Sequence, residues 1–102
     1  MKPPRPPRES SVEAAVVRHC RARGLYCRKF KSPSNNGVPD RIICGGGRVM
    51  FLELKREKLG RTTALQDYEI GLLTKAGMHA IVAYGRDNAI EAIDDFFLPE
   101  GV

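Results

Sequence analysis

Four places in this chain carry residues suited to chemistry: Glu13, Asp40 in the run Gly37-Val38-Pro39-Asp40, the triplet Glu53-Leu54-Lys55, and Gln66. Two carboxylates and a lysine on neighbouring strands, with a glutamate and a glutamine on flanking helices, can hold a divalent cation beside a phosphodiester. Side chains alternate along a strand, so Glu53 and Lys55 share one face while Leu54 points the other way, into the core. Carboxylates drawn this close repel one another, and both ionise comfortably only when a cation joins them. Mg²⁺ and Mn²⁺ suit such a set. They are hard ions that take oxygen ligands and leave positions for water and a phosphate oxygen. The backbone carbonyl of Leu54 offers a further oxygen. Lys55 is suited to orienting an attacking water or stabilising charge on a phosphate.

These residues need elements to bring them together. Ser10 to Glu13 fits a capping box that opens a helix, which runs to about Arg23 and stops at Gly24. Glu13 falls in the apolar sector of Val12, Val16 and Cys20, where an acid is costly without a partner. Either the cap or a metal supplies that partner. Leu25 to Lys31 reads as a strand, followed by a polar loop through Gly37. Asp40 to Cys44 and Arg48 to Lys55 read as a hairpin joined by the Gly45–Gly47 turn. The unbroken apolar run Val49–Leu52 predicts a central strand covered on both faces. Pro39 makes no ladder bond, which leaves Asp40 at a strand edge and free to turn toward Glu53. Thr63 to Gln66 repeats the capping-box pattern and opens a helix ending near Ala76. Gln66 lies between Ile70 and Leu73 on that helix, and reads either as a site amide or as the last residue of the box. Met78 to Tyr84 is a further strand. Asp87 to Phe97 is a last helix, with Ile90, Ile93, Phe96 and Phe97 on one face. The expected order is α-β-β-β-α-β-α, an α/β fold.

At 102 residues the chain is expected to form one domain, residues 10–102, behind a Pro/Arg-rich arm at 1–9. The net charge of +5 hides an asymmetry: residues 1–61 hold 15 Lys/Arg against 5 Asp/Glu, and residues 62–102 hold 2 against 7. Such segregation favours a basic face for a polyanion. Arg28, Lys29 and Lys31 lie on the strand entering the site loop, and Arg56, Lys58 and Arg61 on the loop leaving it. Both groups are candidates for phosphate contact. Asn35 and Asn36 either reach DNA from the loop or simply make its turn. No run of 18 or more apolar residues is present, so no transmembrane helix is expected. The N-terminus lacks an apolar signal core, which points to the cytoplasm. Cys20, Cys27 and Cys44 read as reduced thiols. His19 and His79 read as packing or surface histidines. Tyr26, Tyr68 and Tyr84 read as core or boundary residues and form no stacking series.

With these residues in place, the chain resembles the PD-(D/E)xK nuclease superfamily, and more closely its VRR-NUC branch. Gly37-Val38-Pro39-Asp40 is similar to the G-x-P-D element of that branch, and Glu53-Leu54-Lys55 to its E-x-K element. Glu13 and Gln66 stand where the family places a first-helix acid and a helix glutamine. The resemblance spans about residues 10–97 and is to the compact stand-alone type of phages and bacteria. It implies a restriction-endonuclease-like core with a central mixed sheet flanked by helices. It implies Mg²⁺ or Mn²⁺ held by Glu13, Asp40, Glu53 and the Leu54 carbonyl. It also implies catalytic roles for Asp40, Glu53 and Lys55, and site organisation by Gln66. A homodimer acting on branched DNA such as Holliday junctions follows from the same resemblance.

The expected function is therefore a metal-dependent, structure-selective endodeoxyribonuclease. Other readings stay open on the residues alone: a flap-type nuclease, a non-catalytic nucleic-acid-binding module, an RNA-binding α/β protein, or a restriction-type nuclease. The last has little room for base-reading elements in a chain this short.

Overall fold

The computed structural model describes residues 9–98. The elements run α1 (Glu9–Ala22), β1 (Tyr26–Lys29), β2 (Arg41–Gly45), β3 (Arg48–Lys55), α2 (Ala64–Lys75), β4 (His79–Tyr84) and α3 (Arg86–Phe97). This is the expected order. The sheet order is β1-β2-β3-β4, antiparallel from β1 to β3 and parallel between β3 and β4. The sheet is mixed because β2 returns to β3 through a tight turn, whereas β4 reaches β3 only after the α2 crossover. Gly46 and Gly47 both have positive φ, 56° and 77°, as a two-residue hairpin turn of matching twist requires.

The apolar run of β3 is buried from Met50 onward, as a central strand must be. Met50, Leu52 and Leu54 face one layer made by α1 and α3, where Val12, Val16, Cys20, Ala89 and Ile93 complete the core. On α3 the fully buried residues are Ala89 and Ile93, while Phe96 and Phe97 pack at the edge of the core. His19 Nε2 lies 2.8 Å from Asp94 Oδ1, tying α1 to α3. His79 stacks on Phe96 with ring centroids 4.3 Å apart. Both histidines are thus packing residues, as the sequence suggested.

The other face of β3 presents Phe51, Glu53 and Lys55, and α2 lies on this side. Its amide side chain Gln66 reaches Glu53. The boundaries differ from expectation at two points that matter for the site. β2 begins at Arg41, leaving Asp40 one residue outside the strand. α1 already includes Glu9, so Ser10 lies inside the helix and does not cap it. The arm expected at 1–9 otherwise lies outside the described residues.

Candidate active site

The cleft at the carboxyl end of β3 holds about 320 Å³ and is lined by Glu9, Ser10, Glu13, Asp40, Glu53, Leu54, Lys55 and Gln66. Each lining side chain arrives there for a local reason. β2 begins only at Arg41, paired with Leu52, so the Leu54 N–H further along β3 has no ladder partner on that side. The Asp40 carboxylate fills the place of the missing strand and accepts from Leu54 N at 2.8 Å. That bond satisfies a backbone donor and points the carboxylate across the end of the hairpin. N–H and C=O of one strand residue share a side, so the Leu54 carbonyl faces the same end of the hairpin as Asp40.

Glu53 is 1% exposed. Its Oε2 accepts from Gln66 Nε2 at 3.1 Å and lies 3.2 Å from Lys55 Nζ. Its Oε1 is buried with no hydrogen-bond partner. Burial first, and then the neighbouring Asp40 carboxylate, push the Glu53 carboxyl up to about 7, against the opposing pull of Lys55. Lys55 also lies 3.8 Å from Glu9 Oε1, so its ammonium sits between two acids.

Gln66 carries two duties at once. Its backbone N–H donates to Thr63 Oγ1, and its Oε1 accepts from Thr63 N at 2.9 Å, completing the capping box. Its Nε2 remains free for Glu53. One side chain therefore closes the capping box and also reaches into the cleft. Gly37 brings the elements close. A Cβ there would stand 2.5 Å from the Leu65 carbonyl oxygen, so only glycine lets the Asp40 loop lie against the first turn of α2.

The acids brought together are Glu9, Asp40 and Glu53, each offering an oxygen within 4.8 Å of the others. Glu13 lines the same cleft, but its Oε1 accepts two bonds from Arg41, from Nε at 3.0 Å and Nη2 at 2.7 Å. The first-helix acid that lies within 4.8 Å of both Asp40 and Glu53 is Glu9, one helical turn before Glu13 on the same face. The physical reason is the guanidinium at Arg41, which engages Glu13. Glu9 was not singled out because a cap at Ser10 leaves it outside the helix, whereas α1 includes it. The i, i+4 pairing of Glu9 with Glu13 was the available signal.

The candidate basic residues are not among the residues lining the cleft. Arg28 lies over the Tyr26 ring, 4.4 Å from its centroid, and donates to the Cys27 carbonyl. Lys29, Lys31, Lys58 and Arg61 are exposed. Asn35 Nδ2 donates to Ser32 Oγ, so it makes the turn, and Asn36 is exposed beside it. Arg56 follows Lys55 directly and has a buried Nε without a partner.

The same arrangement of strands and helices occurs in solved structures. One, a "VRR_NUC domain", aligns with TM-score 0.79 at 21% identity, over 87% of this chain and 97% of that one. A second, a "VRR_NUC domain protein", aligns with TM-score 0.79 at 24% identity, over 90% and 89% of the two chains. The chain has the VRR_NUC fold. No family model matches it. Over 49 residues it is 41% identical to "Putative nuclease p44" of Acyrthosiphon pisum secondary endosymbiont phage 1, covering 47% of this chain. The chain spans about half the length of that curated relative, 53%. Within the VRR_NUC fold, the acidic cleft lies where β3 and β4 end together, the carboxyl edge at which α/β sheets commonly place their sites.

The donor set suits a hard divalent cation. It combines three carboxylates, one with a buried oxygen lacking any protein partner, and a backbone carbonyl on the same side. An orphaned buried carboxylate oxygen costs roughly 1–3 kcal/mol or more unless something meets it.

Proposed function

We propose that this chain is a Mg²⁺- or Mn²⁺-dependent endodeoxyribonuclease that hydrolyses phosphodiester bonds of branched DNA such as Holliday junctions, and that it works as a homodimer. The observation that carries the reading is the buried, unpartnered Glu53 Oε1 beside Glu9, Asp40 and Lys55. Asp40, Glu53 and the Leu54 carbonyl would hold the cation, with Glu9 completing the set and Glu13 acting from the adjoining wall. When bound, the cation polarises a phosphoryl oxygen and acidifies a coordinated water.

The chain's own residues supply the rest. Lys55 is held by two acids on a rigid strand, so its ammonium is fixed for a water or a scissile phosphate oxygen. Gln66 orients Glu53 by holding Oε2, which leaves Oε1 for the cation. Asp40 is oriented by the Leu54 N–H in the same way. Arg28, Lys29, Lys31, Arg56, Lys58 and Arg61, with Asn35 and Asn36, would meet the DNA backbone on either side of the cleft. One domain carries one such site, and symmetric cutting of two strands needs two sites related by a two-fold axis. Among the described residues, no helix is long and apolar enough to cross a membrane. The proposed place of action is the cytoplasm of a bacterial cell, as a host or phage product.

The test is cleavage of labelled four-way junction, flap and plain duplex DNA with Mg²⁺, Mn²⁺ or EDTA, beside Asp40→Ala. Junction cutting that needs metal and vanishes in Asp40→Ala supports the whole reading. Flap cutting alone keeps the chemistry and replaces the substrate. Folded protein that cuts none of the three refutes it in favour of a nucleic-acid-binding module.

A further inference from the structure

Tyr84 stands beside the site without being used by it. It is the register partner of Lys55 in the parallel β3–β4 pair. Register partners point to the same face of a sheet, with strands roughly 4.8 Å apart. Tyr84 therefore rises from the sheet next to the lysine, at the carboxyl edge where the cleft opens.

Its backbone is held on both sides. The Tyr84 N–H donates to Asn88 Oδ1 at 3.0 Å, and the following N–H, of Gly85, donates to the Lys55 carbonyl at 2.8 Å. The residue is nonetheless 39% exposed. Among the described residues, no aromatic or guanidinium group covers it, whereas Arg28 already occupies the ring of Tyr26. A large ring on a rigid frame thus keeps part of its surface open, with no aromatic or cationic partner among the described residues. A nucleobase beside a phosphate at Lys55 would lie within reach of this ring.

We propose that Tyr84 is a stacking platform for an unpaired nucleobase flanking the scissile phosphate, and that it directs the enzyme to DNA with unpaired nucleotides at the cut. The inference rests on the phosphodiesterase reading above and narrows its branched substrates to those, such as flaps, that hold an unpaired nucleotide at the branch; a fully paired four-way junction would not use the platform. Stacking suits this position because every base has a π-face, so the contact selects unpaired structure without selecting sequence. A base inside a continuous duplex is already stacked on both sides and gains nothing from the ring.

The test uses the full chain and DNA carrying 2-aminopurine at an unpaired position next to the cut, titrated in EDTA so that no hydrolysis occurs. Wild type quenches the fluorescence. Tyr84→Ala abolishes the quench and weakens binding about tenfold, while Tyr84→Phe and Tyr84→Trp keep both. With metal, Tyr84→Ala raises KM on the unpaired substrate and leaves fully paired duplex unaffected. Equal quenching by wild type and Tyr84→Ala overturns the proposal, as does an equal loss on paired and unpaired DNA. Wild type that quenches through Tyr84 but cuts nothing sinks the nuclease reading and leaves the base subsite standing. Cleavage without Tyr84-dependent quenching does the reverse.

Discussion

Replacing Glu53 by Gln should make the metal-free protein more stable at alkaline pH, although it removes a proposed ligand. Glu53 is buried and its carboxyl is raised from 4.5 to about 7, chiefly by desolvation and then by Asp40. Between those values the folded protein binds a proton that the unfolded chain does not. Stability then falls as pH rises through this window, since the unfolded state binds fewer protons. From pH 5 to pH 8 the loss is about 2–3 kcal/mol, at roughly 1.4 kcal/mol for each pH unit of difference. For a domain of this size that is on the order of 10–20 °C in Tm. Glu53→Gln keeps the shape and an acceptor but cannot ionise, so its stability should be nearly flat over the same range. Loss of the charge facing Lys55 offsets part of the gain at high pH. The assay is urea unfolding in EDTA at half-unit pH steps for both proteins. Saturating Mn²⁺ should then raise wild-type stability most at high pH, because binding requires the ionised carboxylate. A wild-type curve flat between pH 5 and 8, or one paralleled by Glu53→Gln, would refute the argument that this carboxyl is held neutral by its surroundings.

Arg41 and Glu13 should couple in a double-mutant cycle by about 1–3 kcal/mol, given two short bonds to one half-buried carboxylate oxygen. Denaturant unfolding of Arg41→Gln, Glu13→Gln and the double variant measures this, and additivity within about 0.3 kcal/mol would contradict it. Gly37→Ala should cost about 1–3 kcal/mol and weaken Mn²⁺ binding in calorimetry, because its Cβ would press on the α2 backbone at Leu65. An alanine variant of wild-type stability would show that the loop yields freely. Thr63→Ala and Gln66→Ala should both lose about 1 kcal/mol of cap. Only Gln66→Ala should also change Mn²⁺ affinity, since Thr63 does not touch Glu53. Equal metal affinities in those two variants would remove Gln66 from the site.

Much of this molecule is written locally. The alternation that places Glu53 with Lys55, the glycine turn that folds β2 onto β3, and the Thr63–Gln66 box each depend on a few adjacent residues. Short-range rules therefore sufficed for the element order and for gathering Asp40, Glu53, Lys55 and Gln66 around one cleft. The tertiary structure decided which first-helix acid lies closest to Asp40 and Glu53. Glu9 and Glu13 lie on one helical face, and no local pattern separates them. Arg41 does so, by engaging Glu13 from β2. The same holds for Tyr84, whose spacing marks only a strand end until β4 pairs in parallel with β3 and sets it against Lys55. Periodicity assigns a residue to a face. Which residues meet across faces depends on strand register and on the rotation of a helix about its axis, and long-range contacts set both.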